Sequence, residues 1–181
     1  MDVLSLLKKY ESLYALQETR IFDSRRRITA SLHAQEVEKI PVIQCSQAIL
    51  FPRHEIFFSR EKNLIQQLQS INLTLEHDTD YVPYLDPFEG VTILAEAFGC
   101  KVEVPLNGDP WIREPLIRRP EEVYDLARPK MDNPVYQRVL ETLRFFESQT
   151  EGIIPVACTD PQSPLDVALL MWESSSFFVA L

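Results

Sequence analysis

Apolar residues recur along the first part of the chain at helical spacing. Val3, Leu6, Leu7, Tyr10, Leu13 and Tyr14 share one face, which predicts an amphipathic helix over residues 2 to 18. Ile28 and Leu32 predict a second helix from Ser24 to about Ala34. The pattern then changes. Lys39-Ile40-Pro41-Val42-Ile43-Gln44-Cys45 is a short apolar run entered through a proline, the pattern of a buried strand. Residues 46 to 59 have no periodicity and read as a long loop. Ser59 is placed to cap a helix whose stripe is Leu64, Leu68, Ile71 and Leu75.

Asp80-Tyr81-Val82-Pro83-Tyr84-Leu85 reads as a second buried strand, followed directly by Asp86. Residues 89 to 98 read as a short helix closed by Gly99. Lys101 to Pro105 and Pro115 to Ile117 are expected to be extended, with a turn at Asn107-Gly108-Asp109-Pro110. Pro120 with Glu121 and Glu122 opens a helix, and Asp132-Asn133-Pro134 opens another that buries Val135, Val139, Leu143 and Phe146 and ends at Gly152. Ile153 to Cys158 is the third expected strand. Ser163-Pro164-Leu165-Asp166 is a helix start of the capping-box kind, for a helix running to about Trp172. Ser174 to Leu181 is an apolar run with no cap or polar tail, so the chain is expected to stop before its fold is finished.

Helices alternating with near-continuous apolar strands predict an α/β protein with a parallel sheet covered on both faces. Glycine occurs only 4 times, and neither G-x-G-x-x-G nor a P-loop is present, so a phosphate cradle is not expected. A (β/α) barrel fits better. Such barrels take roughly 250 residues, and the 181 residues here carry three central strands.

Charge narrows the partners. The net charge is −9, which argues against a nucleic-acid or anionic-membrane surface. Arg25-Arg26-Arg27 then reads as a solvated helix face. No apolar stretch has the ~18 residues a membrane span needs. The start, Met1-Asp2-Val3, carries an acid where a signal peptide carries bases. The three cysteines, Cys45, Cys100 and Cys158, are widely spaced, as expected of reduced thiols in a soluble cytoplasmic protein.

Several segments, in order, resemble the uroporphyrinogen decarboxylase superfamily. They are Ser24-Arg25-Arg26-Arg27-Ile28-Thr29-Ala30-Ser31-Leu32, Val37-Glu38-Lys39-Ile40-Pro41-Val42, Asp80-Tyr81-Val82-Pro83, Ala95-Glu96-Ala97-Phe98-Gly99-Cys100, and Thr159 to Ala168. The resemblance covers roughly residues 24 to 181. It implies the N-terminal portion of a TIM (β/α)8 barrel over residues 39–181, preceded by an N-terminal helical segment, residues 1–38. It also implies one of two chemistries. The first is methyl transfer involving a corrinoid protein or a methylated small molecule, with a zinc-activated thiolate whose ligands lie outside this chain. The second is decarboxylation of a tetrapyrrole-like porphyrinogen, in which an aspartate stabilises a protonated pyrrole. The family's decarboxylases hold substrate carboxylates with arginines just after the first strand. The corresponding stretch here is Gln44-Cys45-Ser46-Gln47-Ala48, and the nearest arginine is Arg53. That departure favours the methyltransferase-like branch. A third reading is a non-catalytic binding module in which the half-barrel closes its sheet as a homo-oligomer.

Barrel chemistry sits at the C-terminal ends of strands. Asp86 is the first catalytic candidate, set where the family keeps an active-site aspartate; its structural alternative is an Asp-Pro turn. Asp160 is the second, with the same alternative. Gln44, Arg53, His54 and Gln162 are candidate substrate-binding residues, or else ordinary loop residues. Cys45 reads as a thiol ligand or nucleophile, or as an inert cysteine at a strand end. His33 and His77, beside helix ends, are expected to have no chemical role, and Trp111 to cover apolar surface.

Overall fold

Asp2 starts the first helix as an N-cap, its carboxylate accepting the Ser5 N–H at 2.9 Å. Helix α1 then runs unbroken over Val3–Leu32. Two helices were expected here. The stretch between them, Thr19 to Asp23, contains neither glycine nor proline, so nothing interrupts the hydrogen-bond ladder. The buried face carries Leu6, Leu7, Tyr10, Ile21 and Ser24. The computed structural model describes residues 2–180, so the expectations at Met1 and Leu181 lie outside the described residues.

Residues 46 to 59 are not one loop. Arg53–Phe58 form a short helix, α2, and Ser59 follows it with extended backbone before α3, Arg60–Leu75. The expected stripe of α3 is buried at Leu64, Leu68, Ile71 and Leu75. α3 packs along α1, where the buried Asn72 side chain donates to the Leu6 carbonyl at 3.0 Å. α4, Ile93–Ala97, is closed by Gly99 at φ +110. Pro120–Asp125 is a 3-10 helix. α5, Pro134–Thr150, buries Val135, Val139 and Phe146. α6, Pro164–Met171, begins with the expected Ser163/Asp166 capping box, and α7 spans Ser174–Ala180.

The fold is α/β, but among the described residues no barrel forms. The one sheet is a two-stranded antiparallel hairpin of β1, Lys101–Glu103, and β2, Trp111–Glu114. The expected extended piece at 115–117 begins just after β2. It pairs elsewhere: the Ile117 N–H donates to the Met171 carbonyl at 2.9 Å, and the Ile117 carbonyl accepts the Glu173 N–H at 2.8 Å.

The three expected strands do not form a continuous ladder, and the third opens with a bend at Ile153 and Ile154. The second and third meet in a parallel bridge between Leu85 and Val156. The first is not buried. Val42 is 63% and Ile40 79% exposed. Its backbone is held mostly by side chains. The N–H groups of Val42, Ser46, Ala48 and Leu50 donate to Asp80 Oδ2, Thr74 Oγ1, Ser70 Oγ and Gln66 Oε1 at 2.9–3.1 Å. Thr74, Ser70 and Gln66 lie four residues apart on α3 and form a polar stripe that follows the run. The second run alternates as a strand with one covered face: Tyr81, Pro83 and Leu85 are buried, whereas Tyr84 and Asp86 are exposed.

Cα packing divides the chain into two units. One comprises Met1–Phe51, Arg60–Asp86 and Phe146–Ala157; the other comprises Pro52–Ser59, Pro87–Phe145 and Cys158–Leu181. Among the described residues no helix is long and apolar enough to cross a membrane.

Candidate active site

The first unit holds Gln44, Cys45 and Asp86. Asp86 ends the second run and is exposed. The residue before it is fully buried and fixed on one edge: the Leu85 N–H donates to the Pro155 carbonyl and the Leu85 carbonyl accepts the Ala157 N–H, both at 2.8 Å. Along an extended chain the next residue directs its backbone groups to the opposite edge. There Gln67 of α3 meets both. Its Oε1 accepts the Asp86 N–H at 2.7 Å, and its Nε2 donates to the Asp86 carbonyl. Asn63, one turn earlier and buried, accepts from the same Nε2 at 3.0 Å.

Tyr84 shares the exposed face with Asp86. Burial raises its phenol, and the nearby Asp86 carboxylate and Cys45 add to that rise. Partial burial also raises the Cys45 thiol, although Cys45 is largely exposed. The Tyr81 and Tyr84 rings lie 6.3 Å apart. Gln44 is exposed, and its carbonyl accepts the Thr79 hydroxyl at 3.3 Å. The Tyr84 phenol thus feels the charge of both Asp86 and Cys45, and sequence reasoning proposed no role for it.

The second unit holds Arg53, His54, Asp160 and Gln162. Asp160 accepts the Gln162 N–H at 2.8 Å and the Gln162 side-chain amide at 2.7 Å, with Gln162 at φ +65. This is an Asx turn leading into α6. Arg53 pairs with Asp109 at 3.3 Å and lies over the Phe88 ring, 4.9 Å from its centroid. His54 Nδ1 is 2.9 Å from the Leu106 carbonyl. Both side chains therefore grip the turn between β1 and β2.

The model of the uroporphyrinogen decarboxylase (URO-D) family matches residues 23–178. The chain belongs to the URO-D family. No curated protein sequence matches it. Among solved structures, a methyltransferase from Methanosarcina mazei is similar, with a TM-score of 0.61 at 19% identity. The match covers 84% of this chain and 46% of that one, so this URO-D chain spans less than half the length of the methyltransferase. At that identity the likeness is one of fold.

A zinc site is implied by the methyltransferase resemblance, and the described residues do not supply one. Among them no group of three or more His, Cys, Asp or Glu comes together.

Sequence reasoning missed two further networks. Asp80, 4% exposed, accepts from Val42 N–H, Ser24 Oγ and Arg27, so Arg27 is not the solvated residue expected. Burial pushes the Asp80 carboxyl up. The Val42, Arg27 and Ser24 hydrogen bonds outweigh that push and hold it at about 2. In the second unit, Arg138 forks onto Glu96 at 2.8 and 3.0 Å and reaches Glu89 at 3.2 Å. It also lies over the Phe57 ring, 5.3 Å from its centroid. No local signal marks these pairs. Arg27 and Asp80 are 53 residues apart, and Arg138 and Glu89 are 49 apart.

Proposed function

We propose that this URO-D chain forms the N-terminal portion of a TIM barrel, with the runs at 39–45, 80–85 and 153–158 as its first three strands. Residues 1–38 are then a helical segment ahead of the barrel portion at 39–181. We propose further that the whole protein transfers a methyl group, involving a corrinoid protein or a methylated small molecule, with zinc ligands outside this chain.

One observation carries this reading: the ends of the two runs that present Gln44, Cys45, Tyr84 and Asp86 carry no cation, and Lys39 stands at the opposite end of the first run. Residues 40–52 and 80–86 hold no lysine or arginine. The nearest arginine in sequence, Arg53, is engaged by Asp109 and Phe88. A porphyrinogen bearing many carboxylates needs paired guanidinium groups, because charge-assisted bonds are what overcome its desolvation. A face offering a carboxylate, a phenol and amides suits a neutral or cationic methyl donor instead. In this reading Asp86 holds or moves a proton, Tyr84 donates a hydrogen bond beside it, and Gln44 binds substrate. Asp160 with Gln162, and Arg53 with His54, shape loops.

The test uses the whole protein. Methyl transfer from a methylated corrinoid to a thiol is followed by corrinoid absorption, in parallel with loss of carboxylates from uroporphyrinogen. The expected result is methyl transfer that Asp86→Asn slows about 100-fold, the lower end of a lost proton-transfer residue. Decarboxylation of uroporphyrinogen without methyl transfer overturns the proposal.

A further inference from the structure

We propose that Gln67 is a positioning residue that takes the place of a neighbouring strand at Asp86 and so fixes where the Asp86 carboxylate stands. The inference rests on the reading of Asp86 as the working residue and adds the device that aims it.

The second run carries its last residues on two different supports. Leu85 is held by backbone from the third run, through Pro155 and Ala157 at 2.8 Å each. Asp86 would normally be held by the strand on the other side, but its N–H and carbonyl both bond to the primary amide of one side chain, Gln67. A primary amide carries the same donor and acceptor as a peptide group, so it closes the pair as a strand would. The amide is itself oriented, because buried Asn63 accepts from its Nε2 at 3.0 Å, which fixes the donor side toward the carbonyl. Both residues stand on α3, whose apolar stripe is anchored in the core at Leu64 and Leu68. The chain at Asp86 is therefore locked on both edges while its side chain stays on the exposed face beside Tyr84. Pro87 already restrains the ψ of Asp86; without the clamp, rotation about its φ would swing the carboxylate relative to the fixed Leu85.

The experiment compares wild type, Gln67→Leu, Gln67→Glu and Asp86→Asn in the full chain. Two readouts do not depend on any enzyme activity. Hydrogen exchange at the Asp86 amide is expected to speed roughly five- to tenfold in Gln67→Leu, the loss of one backbone hydrogen bond. Gln67→Glu keeps an acceptor for that N–H and is expected to retain most of the protection. The Tyr84 phenol titration, followed by ultraviolet absorption, is expected to fall in Asp86→Asn. Gln67→Leu is expected to move it in the same direction, with no further shift when Gln67→Leu and Asp86→Asn are combined. Unchanged Asp86 exchange and an unchanged Tyr84 titration in Gln67→Leu, alongside a shifted titration in Asp86→Asn, overturn the positioning role and leave the Asp86 site standing. If Asp86→Asn leaves the Tyr84 titration unmoved while Gln67→Leu speeds exchange, the clamp stands and the pairing of Asp86 with Tyr84 falls.

Discussion

Acid should loosen the first unit through one carboxylate, Asp80, and the structure sets both the direction and the size. Asp80 is 4% exposed and receives hydrogen bonds from Val42, Ser24 and Arg27, which hold its carboxyl at about 2 against an ordinary value of 3.8. Because the folded value lies below the unfolded one, this stabilisation is present in full above about pH 4. It is lost as the pH falls toward 2. The gap between 3.8 and about 2 corresponds to roughly 2 kcal/mol at about 1.4 kcal/mol per pH unit. For a chain of this length that is on the order of 4–8 °C in Tm. Asp80→Asn removes the titrating group and keeps its shape. The surface acids Asp2, Glu76, Glu122 and Glu173, also lowered by hydrogen bonds or ion pairs, remain in both proteins and cancel in the difference. Urea unfolding followed by circular dichroism should show wild type more stable by roughly 2 kcal/mol at pH 6, with the two curves converging between pH 4 and 2. Parallel curves across that range would refute the reasoning.

Two further outcomes follow from the second unit. Arg138→Met leaves Glu89, only 5% exposed, and Glu96 without their shared cation. Urea unfolding should show a loss of about 2–3 kcal/mol, reduced when Glu89→Gln is added. Gly90 sits at φ +76 with Pro110 Cγ 2.9 Å from where a Cβ would lie, whereas Gly99 at φ +110 has nothing within 4 Å. Gly90→Ala should therefore cost more than Gly99→Ala, roughly 2–3 against 1–2 kcal/mol, in thermal unfolding of the two variants.

How far the sequence could be read depended on the range of each interaction. Features decided within one or two turns were legible. The stripe of α3, the Ser163/Asp166 capping box and the Gly99 helix stop all depend on neighbours three or four residues away. The ordered family segments were legible too, because they are patterns along the chain. Burial of the extended runs was not. Apolar runs at 40–45 and 80–85 look alike in sequence, yet the first is exposed and the second alternates. The difference lies in which side chains of α3 reach the backbone. The sequence pattern predicts two helices where α1 is one, because the apolar spacing thins between Tyr14 and Ile28 although no residue there stops a helix. At the candidate site, Asp86 was visible as a carboxylate after a strand. Gln67, which holds it from 19 residues away, was one polar residue among several on a helix.

The first run has a consequence for handling the protein. Between Lys39 and Arg53 the chain carries no charge. Ile40, Val42, Ile43, Ile49 and Leu50 are all exposed there. α3 and Asp80 take the N–H groups at Val42, Ser46, Ala48 and Leu50, so the odd-numbered residues between them face the other edge. An uncharged, apolar, exposed segment is the kind of template on which chains stack into cross-β aggregates. Pro41 and Pro52 bracket it, in the position of residues that keep such stacking from spreading. A lysine at position 43 or 49 would charge that edge without entering the core.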